Sequence, residues 1–341
     1  MSHQLKQLNQ MKAVIWTEYG PAATSLKLGT VPTPVLKDSN SLLVKIRAAG
    51  IAQGDCEMRA LNMPFYLRAP IRLLAGLRKP SRLTVLGQQF AGIVESVGTN
   101  VSQFKVGDEV YGTTGLQFGA YAEYIVVPEQ PANGSFVSQK PANLSFEQAS
   151  VSALSALEAF TFLKQANLAP GERVLILGGG GNIGSFAVQI AKSHFRASHV
   201  VAVDGTNKID MLRSIGADQA VDFTKEEYIC TTTDRFDVIL DTPGKSDFST
   251  CSRLLNEHGR YAKGMYQFNE LTGSSKIGTK QMIHSPSTYS LVDFKIISRL
   301  LETGSVKPIL DKTFSIEEIV QAHEYSESGD KVGCIAITVS K

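Results

Sequence analysis

The chain has 341 residues, of which 43% are hydrophobic and 19% charged, and its formal net charge is +2. This balance is typical of a folded globular protein; it excludes an intrinsically disordered chain and gives no indication of nucleic-acid binding. The length favours two domains, and no apolar run approaches the roughly 18 residues that a membrane span requires.

The cysteines and histidines are scattered along the chain. The four cysteines, at 56, 230, 251 and 334, form no close pair, and the six histidines lack zinc-ligand spacing. We therefore expect free thiols, as in a reducing compartment, and no metal site. The first ten residues are polar and lack the apolar core of a signal peptide, which favours a cytoplasmic protein.

The first part of the chain, from residue 11 to about 145, has short alternating segments separated by Gly and Pro. The pattern predicts strands that include 12–16, 41–46, 91–97 and 121–127. Such spacing is typical of a β-barrel-like domain with strongly bent strands.

A basic segment, residues 58–94, contains six Lys or Arg residues and no acidic residue. We favour a surface helix with a buried leucine face and solvated arginines, serving as a flap over the substrate cleft. Contact with an anionic membrane is the alternative, but the segment is short and we expect no stable membrane contact. Tyr66 is a candidate hydrogen-bond donor to substrate, although a tyrosine more often only packs.

The middle of the chain, from about 147 to 285, alternates strands and helices. Strands are predicted at 174–177, 199–203, 220–221 and 236–240, and helices at 184–194, 208–215 and 248–255. This alternation implies an α/β fold with parallel strands joined by right-handed crossovers.

A glycine-rich loop follows the strand at 174–177. Its G-x-G-x-x-G sequence consists of Gly179, Gly180, Gly181, Asn182, Ile183 and Gly184. Glycines permit a tight turn and close backbone approach, so that a pyrophosphate can bind amides at a helix N-terminus. Because a strand precedes the loop and a helix follows it, we predict dinucleotide binding over a merely structural turn.

Two further segments are expected near the cofactor. Asp204, at the end of the next strand, can bind an adenosine ribose and repel a 2′-phosphate, which gives a mild preference for NADH. Lys208 can offset that repulsion, and the alternative is that Asp204 caps the following helix. Asp241, Thr242 and Gly244 follow the strand at 236–240, at the end where ligands bind in open α/β sheets; an ordinary turn is the alternative.

The last stretch predicts a helix at 291–302 and a second one at 316–326. Ser315 and Glu318 have capping-box spacing at the start of the second helix. Residues 334–339 form a final apolar strand that must pair elsewhere in the chain.

Taken in order, these segments resemble the medium-chain dehydrogenase/reductase superfamily, in its zinc-independent quinone oxidoreductase-like branch. The resemblance spans nearly the whole chain and rests on residues 48–51 with Asp55, 87–94, 106–112, 119–124, 140–145, the glycine-rich loop, 214–218 and 333–339. It implies a GroES-like irregular β-barrel catalytic domain, residues 1–149 and 291–341. A Rossmann dinucleotide-binding domain with a doubly wound parallel sheet, residues 150–290, is inserted between its two parts.

The resemblance also bears on metal binding. The ligand positions of zinc-dependent relatives correspond to Ala52, Gln88 with Gln89, and approximately Leu154, none of which offers a thiolate, imidazole or carboxylate. We therefore expect no catalytic zinc. Many relatives have Asn at the position of Ala52, for which Gln53 can substitute, and Thr at the position of Glu158. Ala52, Gln53 and Tyr66 are candidate substrate-pocket residues, and no catalytic residue is assigned.

The function implied by the resemblance is an NAD(P)H-dependent oxidoreductase that transfers hydride to a quinone or conjugated carbonyl without zinc. Alternatives are an enoyl-thioester or alkenal reductase on the same fold, and a non-enzymatic nucleotide-binding relative. The partners implied are a small electrophilic substrate and a second copy in a homodimer. The near-neutral charge disfavours nucleic acid.

Overall fold

The computed structural model describes residues 10–265, 270, 274–283 and 289–340. These residues form two compact units. The first unit contains residues 10–154, 290–298 and 310–340, and the second contains 155–289 and 299–309 with the gaps just given.

The predicted domain boundaries differ from the limits of these units at residues 150–154, 290 and 299–309. Residues around Lys307 belong to the second unit because Gln189 holds them. The Lys307 amide donates to Gln189 Oε1 at 2.8 Å, and Gln189 Nε2 donates to the Lys307 carbonyl at 2.9 Å. The parts of the predicted domains at 1–9, 266–269, 271–273, 284–288 and 341 lie outside the described residues.

The strands are numbered in chain order. They are β1 (Gln10–Trp16), β2 (Leu26–Pro32), β3 (Ser41–Gly50), β4 (Gln89–Val97), β5 (Glu109–Thr114), β6 (Tyr124–Pro128), β7 (Ser135–Gln139), β8 (Arg173–Leu177), β9 (His199–Asp204), β10 (Gln219–Asp222), β11 (Phe236–Asp241), β12 (Leu255–Lys263), β13 (Lys276–Ile277), β14 (Lys280–Met282), β15 (Leu310–Ser315) and β16 (Cys334–Thr338).

The helices are numbered in the same way. They are α1 (Ala22–Ser25), α2 (Gln53–Ala60), α3 (Phe65–Ala75), α4 (Phe146–Gln165), α5 (Asn182–Ser193), α6 (Ile209–Ser214), α7 (Tyr228–Thr231), α8 (Phe248–Ser252), α9 (Leu291–Glu302) and α10 (Ile319–Glu327). None of them is both long enough and apolar enough to cross a membrane, among the residues that the structure describes.

The sheet of the first unit confirms the predicted irregular barrel. Its strand order is β15-β16-β3-β4-β5-β7, and β6 also pairs with β3. The register between β3 and β4 shifts after Leu43 and again after Ile46, and such irregularities bend strands as a small barrel requires. The final strand, β16, pairs antiparallel with β3, which confirms that the end of the chain returns to the first domain.

The sheet of the second unit confirms the predicted parallel arrangement. Its order is β10-β9-β8-β11-β12-β14-β13, and every adjacent pair is parallel except β13 with β14. In β8, Val174, Leu175 and Ile176 are completely buried, as expected for a strand covered on both faces. Helix α8 ends at Ser252, three residues before the predicted end, because Leu255 already begins β12.

The capping box at the start of the last helix is confirmed. The Ser315 amide donates to Glu318 Oε2 at 2.8 Å, and the Ser315 side chain takes part in the same box. Residues 316–318 form one 3₁₀ turn, after which α10 continues to Glu327.

One expectation about the basic segment is wrong. Helix α3 was expected to bury a leucine face, but Leu73, Leu74 and Leu77 are 59%, 39% and 64% exposed. The inward side of the helix is formed by Ile71 and Ala75, which contact the core of the first unit. Because residues four apart share a helix face, the leucines at 73 and 74 point in other directions.

Candidate cofactor and substrate sites

The glycine-rich loop lies between the end of β8 and the start of α5. Gly178 begins the turn with φ of 73°, in the left-handed region, and its amide donates to the Val203 carbonyl of β9 at 2.9 Å. Gly181 immediately precedes α5, and no side chain caps the helix there. The first amides of an α-helix have no acceptor within the helix, so this N-terminus is suited to bind an anion.

Two glycines of the loop differ in the space around them. A Cβ atom at Gly184 would lie 2.1 Å from the Gly178 carbonyl oxygen, which is closer than any side-chain carbon can approach. A Cβ atom at Gly181 would meet its nearest neighbour at 3.6 Å, an ordinary contact. Gly184 is therefore required by the packing of the loop, whereas the space at Gly181 is open to a ligand. Both observations fit a dinucleotide pyrophosphate.

Asp204 connects the end of β9 to this loop. It is only 6% exposed; its Oδ2 accepts from the Gly180 amide at 2.8 Å, and its Oδ1 lies 2.9 Å from Lys208 Nζ. The alternative that Asp204 caps the next helix is wrong, because the 3₁₀ turn there is preceded by Gly205 and has no side-chain cap. The carboxylate therefore positions the glycine-rich loop and forms an ion pair with Lys208.

The residues after β11 lie beside the same loop. The Thr242 hydroxyl lies within hydrogen-bond distance of the carbonyls of Leu177 (3.0 Å) and Gly178 (3.2 Å), so it joins the ends of β11 and β8. Gly244 has a φ of 64° and completes the turn. The structure thus brings Thr242 against the glycine-rich loop, and contact of either residue with a cofactor stays a prediction.

Asp241 is completely buried and faces into the second unit. Its carboxylate accepts hydrogen bonds from the Gly244 amide (3.0 Å), the Ser246 amide (2.8 Å) and the Tyr261 hydroxyl (2.9 Å). Burial raises its pKa, and these donors oppose the rise. Asp241 therefore shapes the turn that follows β11.

Sequence analysis missed the side chains that complete this turn. Lys263, at the end of β12, is 1% exposed, and its Nζ donates to the Ser246 carbonyl and to Glu270 Oε1, both at 2.9 Å. Lys263 directly follows the apolar residues Tyr261 and Ala262, and a lysine in that position was the signal that it needs a buried partner.

The first unit contains a buried carboxylate to which sequence analysis gave no role. Asp55 is 0% exposed; Oδ2 accepts from the Ala52 amide (3.1 Å) and the Tyr121 hydroxyl (3.0 Å), and Oδ1 from the Gly87 amide (3.2 Å). Burial raises the pKa of Asp55 to about 7, and the hydrogen bonds oppose that rise. This side chain fixes the turn between β3 and α2 against the segment that precedes β4.

The same part of the first unit contains the positions that the resemblance aligns with the ligands of zinc-dependent relatives. Gln89 is fully buried, and its Oε1 accepts from the Leu154 amide at 3.1 Å. A Cβ atom at Gly54, beside Ala52, would lie 2.9 Å from Gln88 Oε1. Within the described part of the chain, no three His, Cys, Asp or Glu side chains form a group able to hold a metal ion.

The remaining candidates occupy separate elements. Gln53 is exposed as the first residue of α2, and Tyr66 is half-buried on α3, where its ring meets Phe65 edge-on at 6.1 Å. In the second unit, the Tyr289 hydroxyl donates to Glu158 Oε1 at 3.0 Å. The roles of Gln53 and Tyr66 toward a substrate stay predictions.

Comparison with known proteins adds to this geometry. Residues 38–133 match the family model described as the alcohol dehydrogenase GroES-like domain, and residues 215–337 match the model described as zinc-binding dehydrogenase. The chain is 33% identical to the 2-methylene-furan-3-one reductase of Solanum lycopersicum, over 96% of this chain and 79% of that protein. The chain belongs to the medium-chain dehydrogenase/reductase superfamily.

Other superfamily members agree with this assignment. The NADPH-dependent alkenal/one oxidoreductase of Arabidopsis thaliana, a chloroplastic protein, is 29% identical over 96% of this chain and 79% of its own length. The quinone oxidoreductase from Coxiella burnetii has the same fold, with a TM-score of 0.81 and 24% identity over 97% of this chain and all of that one.

The superfamily and its quinone oxidoreductase-like branch establish the general activity of this member. The chain is an oxidoreductase that uses a nicotinamide cofactor and acts on small molecules. One of its two matching family models is described as zinc-binding, but it matches residues 215–337. The positions that the resemblance aligns with zinc ligands, Ala52, Gln88 with Gln89 and approximately Leu154, lie outside that match.

Proposed function

We propose that this oxidoreductase transfers hydride from NAD(P)H to an alkene conjugated to a carbonyl, or to a quinone, without a catalytic zinc ion. The relatives described as a 2-methylene-furan-3-one reductase and an alkenal/one oxidoreductase support the conjugated carbonyl as the main substrate class. Reduced nicotinamide, when bound, supplies the hydride.

The observation that carries the proposal is the chemistry of the positions around Gln89. Ala52 and Leu154 have no side-chain atom that can bind a metal ion, and the Gln89 carboxamide oxygen already accepts a hydrogen bond from the Leu154 amide. Neither aliphatic side chains nor neutral amides are ligands that hold structural or catalytic zinc in proteins. Oxidation of an unactivated alcohol needs a group that stabilises an alkoxide, so these residues suit an acceptor that is already electrophilic.

The glycine-rich loop is the proposed cofactor site. Its amides and those of the first turn of α5 would hold the pyrophosphate, with Thr242 and Gly244 beside them at the end of β11. We expect Asp204 to receive the adenosine ribose and to favour NADH. The preference is small, because Lys208 neutralises the carboxylate and can also attract a 2′-phosphate.

Steady-state kinetics test this proposal directly. A benzoquinone, an alkenal and an enoyl thioester would each be assayed with NADH and NADPH, and the metal content of the same preparation measured. We expect turnover of the alkenal or the quinone, zinc well below one equivalent, and no loss of activity after chelation. Turnover of the enoyl thioester alone would replace the proposed substrate class, and stoichiometric zinc required for turnover would overturn the metal-free mechanism.

Absence of turnover with every acceptor, combined with tight nucleotide binding, would instead support a non-enzymatic nucleotide-binding protein. The variant Gly181→Ala is the control that links turnover to nucleotide binding at the glycine-rich loop. It should weaken nucleotide binding and turnover together, because the added methyl group occupies the space assigned to the pyrophosphate.

Two further features are proposed with this function. We expect a homodimer formed through the edge of the sheet in the second unit, where β13 is the last strand among the described residues. Light scattering coupled to size exclusion would show twice the mass of 36.9 kDa. We also expect a reducing, cytoplasmic location, since all four cysteines lie in the described part of the chain as free thiols.

A further inference from the structure

Helix α3 and the turn after it present apolar side chains to solvent. Phe65, Leu73 and Leu77 are 67%, 59% and 64% exposed. On the helix, residues 65, 69 and 73 follow one another at intervals of four, so Phe65, Ala69 and Leu73 form a single apolar row. We call this row, together with Leu74 and Leu77, the apolar face of α3.

Cationic side chains border this face. Arg68 and Arg72 lie along one side of the helix, and Arg78, Lys79 and Arg82 follow its end. Within the described part of the chain, none of the five forms an ion pair with a carboxylate. The sixth cation of segment 58–94, Arg59, is buried and pairs with Glu327 at 2.6 Å, so five positive charges border the face, whereas the whole chain has a net charge of only +2.

Three of the arginines hold the helix through hydrogen bonds to backbone carbonyls. Arg68 Nε donates to the Met63 carbonyl at 3.0 Å, Arg72 to the Leu77 carbonyl at 2.7 Å, and Arg82 to the Leu73 carbonyl at 2.8 Å. These acceptors are neutral and do not cancel the arginine charges. Glu324 and Glu327 line one pocket with Arg68 and Arg72, whereas Arg78, Lys79 and Arg82 are not among its lining residues.

The helix is anchored to the first unit from its other side. The Ala75 carbonyl accepts from the amides of Ser81 (2.8 Å) and Arg82 (2.9 Å), and the Tyr19 hydroxyl donates to the Gly76 carbonyl at 2.5 Å. Ile71 and Ala75 contact the core. The exposed leucines therefore belong to a positioned helix and not to a frayed end.

We propose that the apolar face of α3, with its bordering cations, docks onto the surface of an anionic lipid bilayer. Leucine and phenylalanine side chains enter the boundary between headgroups and acyl chains, while arginine and lysine bind the anionic headgroups, as in interfacial helices. A second copy is a poorer occupant, because a two-fold contact would place two identical cationic borders against each other. The proposal departs from the expectation of no stable membrane contact, which was based on the shortness of the segment.

Vesicle co-sedimentation of the full-length protein tests the proposal. Vesicles of phosphatidylcholine alone would be compared with vesicles that also contain phosphatidylserine, at low and raised ionic strength. We expect retention on the anionic vesicles, weaker retention at high salt, and little on the neutral ones. Equal retention on both kinds of vesicle, or retention on neither, overturns the proposal.

Matched variants locate the surface that binds. Arg78→Glu with Lys79→Glu should lower partition onto anionic vesicles at least tenfold, since each cation near such a surface contributes roughly fivefold. Lys27→Glu with Lys37→Glu makes the same change of net charge at exposed lysines elsewhere in the first unit and should have a small effect. If the two pairs lose binding equally, the attraction is a property of net charge and the proposed surface is wrong.

A second pair of double variants tests the contribution of the apolar side chains to vesicle binding. Leu73→Ser with Leu77→Ser should lower vesicle retention severalfold, whereas Val35→Ser with Val106→Ser, at positions 71% and 61% exposed, should leave it unchanged. Thermal unfolding and turnover of a soluble acceptor check that the variants are folded. Unchanged vesicle retention in the leucine variant, or a change of its oligomeric mass in size exclusion, would show that this face serves another purpose.

Discussion

Two buried carboxylates, Asp55 in the first unit and Asp241 in the second, hold their loops with the same kinds of donor. Each accepts from two backbone amides and one tyrosine hydroxyl, Tyr121 for Asp55 and Tyr261 for Asp241. Burial raises the pKa of both carboxyl groups. The two carboxyl groups differ in what opposes this rise in pKa. The charge of Lys263 lowers the pKa of Asp241, whereas the groups that lower the pKa of Asp55 are hydrogen-bond donors.

The two sites also differ in how far along the chain their donors lie. The donors to Asp241 are 3, 5 and 20 residues away, and those to Asp55 are 3, 32 and 66 residues away. The second unit therefore builds its proposed cofactor site from nearby residues and backbone packing. The first unit assembles its candidate site around one acid whose charge state changes near neutral pH.

The largest effect on stability and on nucleotide binding is expected in the glycine-rich loop of the second unit, which is held by backbone packing. Gly184→Ala should destabilise the fold by about 3 kcal/mol, because its Cβ must displace the Gly178 carbonyl oxygen from a distance of 2.1 Å. Urea unfolding followed by circular dichroism measures the loss, and fluorescence titration with NADH should show binding weakened at least a hundredfold.

Gly181→Ala separates packing from ligand binding in the same loop. Its Cβ would lie 3.6 Å from the nearest atom, an ordinary van der Waals contact, so the free energy of unfolding should stay within about 0.5 kcal/mol of the wild type. Its nucleotide affinity should nevertheless fall about tenfold, because the backbone must approach the pyrophosphate there. Equal stability losses in the two variants would contradict the difference in packing that the structure shows.

A smaller effect, dependent on pH, is expected at Asp55. Its pKa is about 7 when folded and near 3.8 when unfolded, so the folded state holds the proton more tightly. Folding stability should therefore fall as pH rises from about 4 to 7. Between pH 5 and pH 8 the wild type should lose about 2 kcal/mol relative to Asp55→Asn, which cannot ionise. Fluorescence of Trp16, the single tryptophan and a buried residue of the first unit, reports the transition.

Asp241→Asn is the matched variant in the second unit. Lys263 lowers the pKa of Asp241 when folded, so the same comparison between pH 5 and pH 8 should give a smaller difference. Circular dichroism would follow unfolding in this case. If Asp241→Asn changed the pH dependence more than Asp55→Asn, compensation by the lysine would not explain how the two acids differ.

The same contrast explains what could be predicted from the sequence. The glycine-rich loop and the parallel strands depend on local patterns, since strand, loop and helix follow one another within residues 173–193. Asp55 acquires its role from Gly87 and Tyr121, which only the barrel fold brings to it. The orientation of α3 was also beyond the sequence pattern, because hydrophobicity alone does not say that Ile71 and Ala75, and not the leucines, meet the core.

An effect on the choice of cofactor is expected at Asp204, a third buried carboxylate and one that a cation contacts directly. Asp204→Asn should raise the ratio of kcat/KM for NADPH over NADH about tenfold, or about 1.4 kcal/mol, because Lys208 Nζ is released toward a 2′-phosphate. Lys208→Ala should move the ratio in the opposite direction by leaving the carboxylate unpaired. Asp218→Asn, which breaks a comparable pair with Lys192 at 2.9 Å, should leave the ratio unchanged. If Asp204→Asn and Lys208→Ala shifted the ratio in the same direction, the pair would act only by holding the loop, and cofactor choice would depend on other residues.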